Sequence, residues 1–275
     1  MANDSAIREM DSVATRIRLQ RQATSNPILL VEGPGDRRIL KRLLPDVEII
    51  PADGKNNLIS AAHSLMDWGV MGVVGIIDAD FDDRKDMKDL SGMIVAYDMR
   101  DLEMMLISLG VLEIVLEHQG SASKIESLGG SKALAERLVS AAHPVSALRS
   151  VNRVKKFGIA FDGVGIAKKV DPKSLSLKID SYCRALIETS DVSLGLSELK
   201  SLIESYVDDG RGPRGKDVLE FASVALRKVA GTRKLEAVAV DSLVSQLHSS
   251  CGLSLSESEW LGNLRERLDS ARGDV

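Results

Sequence analysis

Three short apolar runs, each broken off by carboxylates, constrain this chain more than any other feature. Ile28-Leu29-Leu30-Val31 stops at Glu32, residues 71–77 stop at Asp78-Ala79-Asp80, and residues 93–97 stop at Asp98, with Asp101 and Glu103 close behind. Runs this short are not helices, and they lack the alternation of a half-exposed strand. They fit parallel strands covered on both faces. Residues 47–50 read as one more strand. Helical spacing lies between the runs, over 37–44 and over 58–68, where Ile59, Ala62 and Met66 share a face, and again over 104–109. This alternation predicts an α/β fold with a mostly parallel sheet flanked by helices.

The flanks read differently. Ile7, Met10, Val13, Ala14, Ile17 and Leu19 recur at near-helical spacing, so an amphipathic helix is expected over residues 1–25, stopped by Asn26-Pro27. Beyond Gly120 the strand signal fades. Helices are expected over 131–142, 172–186, 197–206, 216–229, 235–248 and 256–268. Gly and Ser concentrate over 119–131, which places the boundary between an α/β domain at 26–123 and a mainly helical domain at 124–275. Cys183 and Cys251 are the only cysteines and form no CxxC pair, which argues against a disulfide framework or thiolate zinc site and makes the cytoplasm the expected compartment. No window reads as a membrane span and residues 1–22 do not read as a signal peptide.

In a parallel sheet all strand C-termini lie on one edge, where ligands bind in open α/β folds. Glu32, Asp78 and Asp80, and the group Asp98/Asp101/Glu103 are therefore expected to converge. Carboxylates that close repel one another unless a cation neutralises them, and oxygen ligands without Cys or His point to Mg²⁺ or Mn²⁺. Just past the run at 71–77 the segment is expected to be extended, so that Asp78 and Asp80 face alike and can share one metal or bridge two. A structural reading of Glu32 is a salt bridge to Arg37 or Arg38, or a helix cap.

The motifs Val31-Glu32-Gly33-Pro34-Gly35-Asp36 and Ile76-Ile77-Asp78-Ala79-Asp80 resemble the TOPRIM domain of topoisomerases, primases and OLD-type nucleases. The run Asp98-Met99-Arg100-Asp101-Leu102-Glu103 resembles the subset found in PARIS-type phage-defence effectors, which join the sheet to a helical part. That resemblance covers roughly residues 27–106. It implies that Glu32 serves in acid–base chemistry or metal binding, that Asp78 and Asp80 hold Mg²⁺, and that Glu103, with Asp101 beside it, supplies the third cluster. It further implies a nuclease directed at RNA (tRNA) rather than DNA, a large ABC/OLD-type ATPase partner, and self-association. Two departures stand out: Gly33-Pro34-Gly35 stiffens the first turn, and Lys216 stands in the segment 211–219 where such effectors carry a histidine.

Charge supports a polyanion without proving one. Net charge is −4, but residues 1–123 hold 13 Lys/Arg against 20 Asp/Glu, and residues 124–275 hold 23 against 20. Acids facing a cation with bases facing phosphate would give this asymmetry, as would two surfaces that merely differ. Arg37, Arg38, Lys155, Lys156 and Lys216 are the candidate phosphate contacts, with Arg149 and Arg153 in the same basic run. Solvated helix faces explain such runs equally well. Aromatics make up only 3 %, so backbone recognition is expected over base stacking. His63, His118, His143 and His248 lack metal-type spacing and read as surface or core. Lys55 reads as a solvated turn residue, and no Gly-Lys-Ser/Thr follows Gly33-Pro34-Gly35, which excludes a P-loop. Two other functions remain open: a haloacid-dehalogenase-like phosphatase, with Asp78 as nucleophile, and a non-catalytic metal-binding module.

Overall fold

The computed structural model describes residues 12–81, 89–190 and 192–272. Four strands, β1 (Ile28–Val31), β2 (Glu48–Pro51), β3 (Val73–Ile77) and β4 (Ile94–Ala96), form a parallel sheet in the order β2-β1-β3-β4. Helices flank the sheet and a largely helical region follows it, as the alternation of runs predicts. The chain divides into two compact units. The first contains the described residues up to Ala79, those from Asp89 to Tyr97, and those from Leu255 onward. The second contains Asp80, Phe81 and residues 98–254. The boundary expected at 123/124 falls inside the second unit.

In the first unit, β1 and β3 are buried along their whole length, which is why their sequences do not alternate. Ile28, Leu30, Val73 and Ile77 share a core with Ala14 and Ile17 of α1 (Val13–Ala23) and with Leu58, Ala61, Ala62 and Leu65 of α3 (Lys55–Asp67). Gly75 allows α3 this close: a Cβ there would lie 3.1 Å from the Leu58 side chain. The N-terminal helix is capped by the Ser12 hydroxyl, which accepts from the Thr15 amide at 3.2 Å; the part expected over residues 1–11 lies outside the described residues. α2 (Pro34–Leu43) begins three residues earlier than its apolar spacing predicts. Pro34 occupies the first helical position, where its missing N–H costs nothing, so Gly33-Pro34-Gly35 starts the helix rather than forming a separate turn.

The second unit runs through α4 (Leu102–Ser108), α5 (Val111–Gln119), α6 (Ala122–Ser127), α7 (Gly130–Lys155), α8 (Ile179–Thr189), α9 (Leu196–Glu204), α10 (Gly215–Lys228), α11 (Leu235–Val238) and α12 (Val240–Ser250). Its central helix is α10, buried almost all round through Val218, Leu219, Phe221, Ala222, Val224, Ala225 and Leu226 because α4, α7 and α12 surround it. α7 was expected to stop at 142, yet it continues through Pro144 to Lys155. The helix expected over 172–186 is instead α8, preceded by a 3₁₀ turn (Ile166–Lys169) and a bridge between Val170 and Leu177. α13 (Gly252–Ser256) follows α12, and α14 (Glu259–Arg272) belongs to the first unit, where it packs on β3. Trp260 of α14 donates its Nε1–H to the Ala96 carbonyl at 3.2 Å and its ring lies 5.0 Å from that of Tyr97. Among the described residues no helix is long and apolar enough to cross a membrane.

Candidate functional site

Strand order β2-β1-β3-β4 reverses direction between β1 and β3: the chain leaves β1 toward β2, and leaves β3 toward β4. The crevice beyond the C-terminal ends of such a strand pair is the ligand-binding position of open α/β sheets. Register brings those ends level, with Val31 opposite Ile76 and Ala96 opposite Ile77. Glu32 and Asp78 are each the next residue after their strand. Across the reversal Glu32 Oε1 accepts the Asp78 N–H at 2.8 Å. Two of the sequence-derived site residues therefore stand on one rim.

Other side chains join them from the same unit. Lys55, expected to be a solvated turn residue, instead reaches from the first turn of α3 to donate to the Asp78 carbonyl at 2.7 Å. Gly54 places it there: φ of +116° is open to glycine alone, and the Gly54 N–H donates to the Glu32 carbonyl at 2.8 Å. Asp36 closes the first turn of α2, accepting the Gly33 N–H at 3.1 Å, and its other oxygen accepts the buried Tyr97 hydroxyl at 3.1 Å. Spacing within the sequence gives no sign of the Lys55 or Tyr97 contacts, since each lies on a different strand-end loop from its target.

The Asp-x-Asp segment does not stay extended. Asp80 has φ of +45°, in the left-handed region, so the alternation argument for two like-facing carboxylates ends at Ala79. The segment also straddles the division of the chain, Asp78 counting with the first unit and Asp80 with the second. Within the second unit Arg100 holds the Asp80 main chain at both ends. The Asp80 N–H donates to the Arg100 carbonyl at 2.9 Å, and the guanidinium donates to the Asp80 carbonyl at 2.6 Å. Arg100 is 2 % exposed, pairs with Asp209 through two nitrogens, donates to the Gly212 carbonyl, and lies over the Phe81 ring.

Asp101 caps α4, accepting the Met104 N–H at 2.7 Å, and the same carboxylate accepts the Gly215 N–H that opens α10. Burial, reinforced by Glu103, pushes its carboxyl up to about 7 against the pull of those amides. Glu103 sits in the first turn of α4, with His248 Nε2 3.5 Å from its Oε1, an ion-pair distance rather than a well-formed hydrogen bond. Burial works to raise the Glu103 carboxyl, but His248 and the Lys216 charge outweigh it and hold it below the ordinary range. His248, read from sequence as surface or core, is thus the partner of a candidate site residue.

Two of the candidate phosphate contacts are bonded within the protein. Arg37 donates its Nε–H to the Ile49 carbonyl at 3.1 Å, which ties α2 to β2. Arg149 is bound by two nitrogens to the buried Asp217, at 2.7 and 3.0 Å, and covers the Phe161 ring. Arg37, Arg38, Lys155, Lys156 and Lys216 are all exposed, Lys155 and Lys156 at the end of α7.

Among the described residues no three His, Cys, Asp or Glu side chains gather into a ready-made metal cage; Asp82 and Asp83 lie outside them. A pair of carboxylates on one strand edge, Glu32 and Asp78, nevertheless fits Mg²⁺ in donor type, since that ion commonly takes one or two protein carboxylates and keeps waters or substrate phosphates for the rest. No model of a known protein family and no curated protein matches the chain.

Proposed function

We propose that this protein is a Mg²⁺-dependent nuclease of TOPRIM type that hydrolyses nucleic-acid phosphodiesters. The observation that carries this reading is the Glu32–Asp78 contact across the sheet reversal, because it sets two acids from distant motifs on the ligand-binding edge. Glu32 and Asp78 would hold the cation. When bound, the cation supplies charge neutralisation at a phosphodiester and polarises its oxygens. Glu32 is the acid–base candidate, and it also accepts the Asp78 amide. Arg37 and Arg38 in the first unit, and Lys155, Lys156 and Lys216 in the second, are exposed cations that could each contact a phosphate.

Resemblance to PARIS-type effectors carries the finer reading: a tRNA-cleaving effector of phage defence, restrained by a large ATPase and self-associating. The test is incubation of the full chain with tRNA, with plasmid DNA and with a chromogenic phosphate ester, in Mg²⁺, in Mn²⁺ and in EDTA. Metal-dependent cleavage of tRNA supports the reading. Hydrolysis of the small ester alone moves the protein to the phosphatase class, and cleavage of nothing under any metal removes the nuclease reading.

A further inference from the structure

The Asp78 main chain is gripped at both ends. Its N–H donates to the Glu32 carboxylate at 2.8 Å, and its carbonyl accepts from the Lys55 ammonium at 2.7 Å. The Glu32 carbonyl in turn accepts the Gly54 N–H at 2.8 Å. Three strand-end loops, after β1, β2 and β3, are thereby closed into a ring of contacts by Glu32, Gly54-Lys55 and Asp78. Holding a long, flexible ammonium stem against a main-chain carbonyl gives up side-chain freedom that a surface lysine keeps. Two acids on one rim also repel each other, and a nearby positive charge relieves that repulsion.

The geometry points to Lys55 as a positioning residue: it fixes the Asp78 main chain at its carbonyl, and through it the Asp78 carboxylate, for a divalent cation. This rests on the reading of the rim as a cation site and adds a residue that neither motif contains. It also predicts a sign. A lysine that merely neutralised the acids would compete with a cation, so its removal would tighten binding. A lysine that holds a ligand in place does the opposite, because loss of an outer-shell partner typically weakens metal affinity by roughly 10–100-fold.

The experiment titrates Mn²⁺ into the full chain and follows it by electron paramagnetic resonance, for wild type, Lys55→Met and Lys55→Arg. Thermal melting accompanies each variant, and amide hydrogen exchange is followed at Asp78. Expected are a Mn²⁺ affinity lower by about 10-fold or more in Lys55→Met, faster exchange at Asp78, and a melting profile close to wild type. Lys55→Arg, which keeps the charge but carries a planar head, is expected to weaken binding too and serves alone if the methionine variant does not fold. Equal or tighter Mn²⁺ binding by the variants overturns the role of Lys55 while leaving the rim as a cation site. Absence of Mn²⁺ binding in wild type removes the cation site and this role with it. A nucleic-acid binding slope against salt reduced by about one in Lys55→Met would mark direct phosphate contact and also overturn positioning.

Discussion

The Asp101 carboxylate joins two helices at their starts: Oδ1 accepts the Met104 N–H of α4 at 2.7 Å, and the Gly215 N–H of α10 lies 3.1 and 3.0 Å from its two oxygens. One buried acid therefore satisfies amides that the helices themselves leave unpaired. Asp101→Asn retains one acceptor but turns an NH₂ group toward one of these donors. We expect a loss of about 1–2 kcal/mol, read by urea unfolding.

The same residue sets a pH dependence. Burial raises the Asp101 carboxyl to about 7 in the folded protein, against an ordinary value of 3.8. The folded state therefore holds this proton more tightly than the unfolded chain does. Its contribution to stability is full below the ordinary value and is lost as pH rises through about 7. Unfolding curves across that window should show stability falling with pH in wild type. The decline should be shallower in Asp101→Asn, and an equal slope in both would assign the dependence to other groups.

At Gly215 the start of α10 lies directly against the start of α4. A Cβ there would lie 2.5 Å from Glu103 Cβ and 2.5 Å from the Met104 nitrogen, and neither atom is the movable end of a side chain. Gly215→Ala must push the two helix starts apart, breaking the shared cap. A loss of about 2–4 kcal/mol is expected, well beyond the effect of a surface substitution. The reverse control is Gly262→Ala in α14, where a Cβ meets nothing within 4 Å. There the replacement should be neutral or stabilising by up to about 1 kcal/mol.

Arg100 and Asp209 contribute unequally although they form one pair. The arginine side chain is 2 % exposed and the aspartate 46 %. Arg100→Ala leaves the Asp80 and Gly212 carbonyls without their guanidinium donor and empties a packed volume over Phe81. A cost of about 2–4 kcal/mol is expected. Asp209→Asn leaves a buried guanidinium still bonded to two carbonyls and loses a half-solvated charge, so about 1 kcal/mol or less is expected. Chemical unfolding of both variants checks the order; similar losses would mean that the ion pair, and not the carbonyl contacts, dominates.

The strands were readable because β1 and β3 are buried on both faces, which forces wholly apolar sequence. Their carboxylate ends were readable for the same reason, since a charge inside a wholly apolar run would be buried without a partner. What could not be read depends on partners remote in the chain. Lys55 binds a main-chain carbonyl, which any residue type supplies, so nothing at position 78 signals a lysine partner. His248 finds Glu103 through the packing of α12 against α4. Pro34 reads as part of a turn in the sequence but starts a helix, and the spacing that ends at 142 misses the continuation of α7 through Pro144. The return of α14 to the first unit has no local signature at all, because an amphipathic helix does not encode which surface it covers.

Glu32 holds two tasks that substitution can separate. Its Oε1 accepts the Asp78 N–H at 2.8 Å, a contact that joins β1 to β3, and its charge belongs to the proposed cation site. Glu32→Gln keeps an oxygen that can accept the same amide but removes the charge and the basicity. Glu32→Ala removes everything and leaves a part-buried amide without its acceptor. In the nuclease reading, Mg²⁺-dependent cleavage falls by about 10²-fold or more in both variants, the scale of a lost acid–base group. Stability divides them: Gln should unfold close to wild type, whereas Ala should lose about 1–3 kcal/mol through the orphaned N–H. Parallel measurement of cleavage and of the urea midpoint therefore tells chemistry from scaffold. A Gln variant that cleaves as fast as the parent strips Glu32 of its chemical role and leaves it only the hydrogen bond.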